Sequence, residues 1–207
     1  MTERFEKLHK VPAQPAARLL AVANAKLKTK LKAPANASVD VVLKELEAVG
    51  GHVDMLRLLS AALPSRESVW WACLAARDVL EDGDSNTCLK AAEAWVFDPT
   101  TENRQRIQAA LDAADPGDKT VLSATAALYA PGNLGDSDDM KDTPAPIGVV
   151  ANCAFGMNLK SLKVDKDPIA RMDLLIDRAV DIARGGNGKI APAAAPTSNE
   201  DVKEEAS

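Results

Sequence analysis

The sequence predicts an all-α protein: a single-domain helical bundle or short stack of helical hairpins, with eight or nine helices. Three observations point there. Apolar residues make up 46% of the 207 residues but aromatics only 3%, so the core is largely Ala and Leu, a composition suited to close helix–helix contact. Apolar positions recur at i, i+3, i+4 and i+7, and β-branched and aromatic residues are not gathered into alternating runs. Pro, Gly and Asp clusters separate the periodic segments. We divide the chain into a flexible leader (1–14), an all-helical domain (15–184) and a disordered, acidic, Ala/Pro-rich tail (185–207) that buries too little to order itself.

Each helix has its own punctuation. Pro15 opens the first, whose stripe is Ala16, Leu19, Leu20, Ala23 and Leu27 and which runs into KLKTKLK. Ser38 opens the second, with Val39, Val42, Leu43, Leu46 and Val49 inward, ended by Gly50-Gly51. The third, Val53 to Leu63, stops at Pro64. Ser65 or Ser68 caps a fourth that is apolar nearly all round, the mark of a helix buried among others. A fifth spans about Ser85 to Phe97, with Cys88, Leu89, Ala92, Trp95 and Val96 inward, and is broken by Asp98-Pro99. Thr100 or Thr101 caps a sixth, from Glu102 to Ala114, and a seventh follows from Lys119 to Tyr129. Pro131 to Pro146 reads as the longest unstructured connection. Ile147 to Leu162 carries Gly148, Ala151, Ala154 and Gly156, small enough for close backbone approach. The last helix begins after Asp167 with Ile169, Met172, Leu175, Ile176, Ala179 and Val180 inward, and with Arg171, Asp173, Asp177, Arg178 and Asp181 outside.

Charge narrows the function. A net charge of −5 argues against a general nucleic-acid binder. No run of eighteen apolar residues suggests a membrane span, and the N-terminus lacks the apolar core of a signal peptide. Three Cys without C-x-x-C spacing read as free thiols in a reducing cytoplasm. One stretch is basic: from Met1 to Lys32 there are eight Lys or Arg against two Glu. It reads as a solvated helix end, or as a dock for an acidic partner or the acidic tail.

Several groups of residues carry possible chemistry. Asp82, Asp84, Asn86 and Glu93 stand at the first, third, fifth and twelfth places of a calcium loop between two helices. Thr87 holds the place of the turn-forming Gly and Lys90 the ninth, so a turn and N-cap compete with a Ca²⁺ site. Asp136, Asp138, Asp139 and Asp142 form a second acidic cluster. Gly185 to Lys189 mimics a phosphate loop but follows a helix rather than a strand. His9 and His52 lack partners at zinc or triad spacings. Cys88, near a helix start, is the thiol whose pKa a helix N-terminus would lower. Arg77, Asp78 and Glu93 form an ion-pair edge or, on an enzyme reading, a polar active site. Adjacent Trp70 and Trp71 cannot face the same way on a helix; one belongs in the core, and the other, partly exposed, marks a partner surface.

At Trp71-Ala72 and from Ala92 to Arg104 (AEAWVFDPTTENR) the sequence resembles an uncharacterised family of bacterial helical proteins with a W-A-C-L stretch, then A-x-x-W-V-x-D-P-T-x-E-N-R, then a Pro-rich loop before two final helices. That resemblance implies a helical fold and supplies no activity. The motif also reads structurally as a helix stop, a Pro, a Thr cap and a new helix. The resulting expectation is a non-enzymatic, cytoplasmic adaptor that binds an unknown protein through Trp70 or Trp71, without catalytic residues, nucleic acid or membrane. The alternatives are a calcium-binding helical module and a toxin-immunity protein.

Overall fold

A computed structural model of the chain describes residues 3–190. Among the described residues the secondary structure is nine α-helices and two 3-10 turns (Glu3–Phe5 and Ser161–Val164), with no strand. The helices are α1 (Ala16–Val22), α2 (Val39–Ala48), α3 (His52–Ala62), α4 (Ser65–Asp78), α5 (Thr87–Phe97), α6 (Thr101–Asp112), α7 (Val121–Tyr129), α8 (Val149–Lys160) and α9 (Pro168–Arg184). No described helix is long and apolar enough to cross a membrane.

Helix α4 is the axis of the bundle, as its all-round apolar surface requires. It packs on α5, α7, α8 and α9, and Val69, Trp71, Ala72, Cys73, Ala75 and Ala76 are wholly buried in it. Helices α5, α6 and α7 pack on one another, while α3 packs on α1, α2, α8 and α9. Helices α4 and α8 join the two groups. Small residues permit the joins. Gly148, at φ +71, caps α8 where a Cβ would lie 2.0 Å from the Ala23 carbonyl oxygen, so no other residue lets α8 start against the end of α1. Cys88, Leu89, Ala92, Trp95 and Val96 form the buried face of α5, as the spacing predicts.

Five expectations need correction. The segment 3–14 is packed, not loose. Phe5 is fully buried, and Arg4 donates to Asp177 (2.7 Å), Glu47 (2.9 Å) and Asp173 (3.1 Å). Helix α1 ends at Val22, and KLKTKLK is extended with a bend at Lys28–Thr29. Ala25, Leu27, Leu31 and Ala33 pack against the core while Lys26, Lys28, Lys30 and Lys32 are exposed. Two carboxylates hold this ribbon: buried Asp54 accepts the amides of Lys28 and Thr29 at 2.8 and 2.7 Å, and Glu45 accepts those of Lys32 and Ala33.

Residues 131–146 are a pinned hairpin-like loop, closed by Leu134 N–H to Thr143 and Ala145 N–H to Gly132. In α9, Arg171 and Arg178 point inward, at 4% and 8% exposure, whereas Ile169 faces solvent. The expected tail also begins later than Gly185. Gly185 (φ 104) ends α9, but residues 186–190 return to the core, with Gly188 buried and its amide donating to Asp181 at 2.8 Å. Residues 191–207, the rest of that tail, lie outside the described residues.

Candidate functional site

The start of α4, the end of α5 and the segment after α9 enclose a groove of about 440 Å³. Trp70 is its floor. Trp71, one residue on, points a hundred degrees away into the core and donates Nε1–H to the Leu175 carbonyl at 3.0 Å. Trp70 is itself 9% exposed, which corrects the expectation of a partly exposed Trp as the contact surface. Its Nε1–H donates to the Asn187 carbonyl at 2.7 Å, fixing the ring against the chain after α9. The exposed ring is Phe97, 68% accessible at the rim and edge-on to Trp70 with centroids 5.5 Å apart.

Cations surround this aromatic pair. The Arg77 guanidinium lies 5.1 Å from the Trp70 centroid and the Lys189 ammonium 5.9 Å. Arg66 donates Nε–H to the Val96 carbonyl at 2.6 Å and a second N–H to the Phe97 carbonyl at 3.4 Å, where the C-terminus of α5 attracts positive charge. Lys10, from the N-terminal segment, bonds Glu67 at 3.0 Å. The groove thus offers stacking area and positive charge. Its fixed ion pairs, Lys10 with Glu67 and Arg77 with Glu93, suit recognition by contact.

The candidate calcium ligands do not converge. Asp84 accepts the Glu81 amide at 2.7 Å and the Lys119 ammonium at 2.9 Å; these two partners, in that order, hold its carboxyl below the usual range. Glu93 accepts Arg77 Nε–H at 2.5 Å from across the helix pair. Asp82 is exposed, and Asn86 stands at the N-cap of α5 without a side-chain cap bond. The loop turns at Gly83 (φ +89), the second place of the motif, not the sixth, so the chain does not wrap an ion. Among the described residues no three His, Cys, Asp or Glu side chains are placed to hold a metal.

The enzyme candidates separate likewise. Arg77 pairs with Glu93, while Asp78 turns to Arg171 and Arg178. His52 Nδ1 lies 3.0 Å from the Gly50 carbonyl oxygen at the start of α3. Cys88 is fully buried, with Sγ 3.5 Å from the Ala110 carbonyl. Burial, helped by Asp118, pushes its thiol up to about 11, the reverse of the lowering expected near a helix start. Burial raises Cys73 and Cys153 as well. The phosphate-loop mimic has its Gly188 amide on Asp181 and its Asn187 carbonyl on Trp70, leaving no amide cradle there.

The sequence of unknown-function family DUF6931 matches residues 42–183. The chain belongs to this family. No curated protein and no solved structure matches the chain. The family match runs from within α2 through most of α9 and leaves out the N-terminal segment, the lysine ribbon and residues 186–190, so the family's span supplies Trp70, Arg66 and Phe97 while the flanking segments supply Lys10 and Lys189.

The motif from Trp95 to Arg104 lies inside the family span and is structural. Thr100 Oγ1 accepts the Asn103 amide at 3.3 Å, capping α6. Asn103 Nδ2 donates back to the Asp98 carbonyl at 2.7 Å. Arg104, buried at 3% exposure, donates to the Leu128 and Asn133 carbonyls and to the Asn133 and Asp136 side chains. It pins the loop 131–146, so Asp136 serves as an anchor and not as part of a cation cluster.

Proposed function

We propose that the protein is a non-enzymatic, cytoplasmic interaction module that receives a short acidic–apolar segment of a partner protein in the Trp70 groove. The observation that carries this reading is Phe97: a ring 68% exposed, held edge-on over a second ring, beside Lys10, Arg66 and Lys189. An exposed aromatic anchored on a buried one is costly to leave in water and supplies contact area at low entropic cost. The surrounding cations select acidic residues flanking an apolar anchor. The three unpaired cysteines fit a reducing compartment. A toxin-immunity role is one form such a module takes, with an acidic toxin loop as the segment.

A random peptide display library panned on the full chain tests this. Enriched peptides are expected to carry an aromatic or aliphatic residue flanked by Asp or Glu, and to lose binding to Phe97→Glu. That variant keeps the wild-type melting temperature because the ring is exposed. Peptides that bind wild type and Phe97→Glu equally, or no enrichment, would rule the groove out.

A further inference from the structure

We propose that a second hollow, at the C-terminal end of α4, binds a small phosphate-bearing molecule. The hollow has a volume of about 590 Å³. Asp78 and Leu80 form one wall, Lys119 a second, and Lys160, Lys163 and Val164 the third. It shares no lining residue with the Trp70 groove.

Its charge is unbalanced. Asp78 accepts Arg171 at 2.5 Å and also Arg178. Both guanidinium groups come from α9, and their side chains are only 5% and 9% exposed. One carboxylate therefore faces two buried guanidinium ions, neither of which can shed its proton. The Nε of each is buried without a hydrogen-bond partner. A buried cation in excess of its counterions carries a desolvation penalty that a nearby anion offsets.

The mouth adds more positive charge. Lys119 bridges Asp84 and Glu81 at 2.9 and 3.1 Å, so its charge is met; Glu81 also lines the hollow but is 82% exposed, where water screens it. Lys160 donates to the Lys119 carbonyl at 2.9 Å, which holds its ammonium at the wall while leaving two N–H donors. Lys163 has no ion partner among the described residues. Two unneutralised ammonium groups on the wall, beside an Asp78 carboxylate already met by Arg171 and Arg178, match the charge of a phosphate dianion. Val79, Leu80 and Val164 offer apolar surface for the organic part of such a ligand.

Calorimetry on the full chain tests the site, with inorganic pyrophosphate, inorganic phosphate and succinate as separate titrants and chloride at matched ionic strength as the blank. A saturable one-site heat with pyrophosphate or phosphate is expected, stronger than with succinate. Lys163→Gln and Lys160→Gln should each weaken it about 10-fold, the worth of one charge-assisted bond, with unchanged melting temperature. Lys26→Gln, in the ribbon, should leave it unaltered. Absence of saturable heat up to about 10 mM, binding by both variants as tight as by wild type, or tighter binding of succinate would each overturn the assignment. None of these outcomes bears on the Trp70 groove.

Discussion

Arg4 Nε donates to Asp177 Oδ1 at 2.7 Å, joining the start of the described chain to its last helix across 173 residues. The same guanidinium reaches Glu47 of α2, so one side chain ties together three elements distant in sequence. The carboxylates hold the Arg4 pKa above its ordinary value against the opposing effect of burial.

Removing that tie has a calculable cost. Arg4→Ala leaves Glu47, Asp173 and Asp177 facing one another and should destabilise the fold by about 1–3 kcal/mol, less in high salt because the cluster is partly exposed. Phe5→Ala, beside it, opens a cavity in the core and should cost about 3–4 kcal/mol regardless of salt. Urea denaturation at 50 mM and 1 M NaCl separates the two; equal salt dependence would show that the ion pairs contribute nothing.

Arg104→Ala should release the loop 131–146. It removes four hydrogen bonds and leaves the buried Leu128 carbonyl and the part-buried Asn133 carbonyl unmet, a loss of about 3 kcal/mol. Limited proteolysis should then cut between Leu134 and Lys141 in the variant and spare wild type. A loop equally resistant in both would show that Arg104 is not its anchor.

The thiols should differ in access. Cys73 and Cys88 are buried and Cys153 half-buried, and burial raises all three pKa values. A thiol reagent at pH 8 should modify Cys153 slowly and the other two only after denaturant is added. Rapid native labelling of Cys88 would contradict the packing of α5 on α6.

Asp84 gives a pH dependence with a definite sign. Its folded pKa is depressed by the Glu81 amide and Lys119. The contribution is therefore present above the ordinary carboxylate pKa and is lost as pH falls through the lower, folded value. Asp84→Asn should melt below wild type at pH 7, and the gap should close on acidification below about pH 4. A gap constant from pH 7 to pH 3 would show that the carboxylate charge does no stabilising.

Much of the bundle was legible because its signals are local. Cys88, Leu89, Ala92, Trp95 and Val96 announce the buried face of α5 by spacing, and Thr100 announces the start of α6 by its hydroxyl. Arg171 and Arg178 did not announce themselves. Helical periodicity places charges outward, and only Asp78, some ninety residues earlier in the chain, brings them in. The ribbon after α1 was legible and misread: Lys alternating with Ala, Leu and Thr from Ala25 to Ala33 is a period of two, the signature of extended chain. Phe5 and Gly188 belong to no periodic stripe, and their burial depends on surfaces made by other helices. The Trp pair was half legible. A helix separates the two rings, but the return of residues 186–190 over Trp70 cannot be read from α4, and it leaves Phe97 as the ring that meets solvent.

The attachment of the opening segment to α9 governs how the molecule is made. Arg184 donates to the carbonyls of Glu3, Arg4 and Glu6, and Lys10 donates its amide to Ala183. The segment 3–10 thus finds its seat only when α9 has followed it out of the ribosome, roughly ten to thirty seconds later at ordinary rates of synthesis. Until then Phe5 trails a greasy, unsheltered thread behind which α2 through α8 can already assemble, so a nascent chain stalled before Arg184 should be the species that chaperones hold.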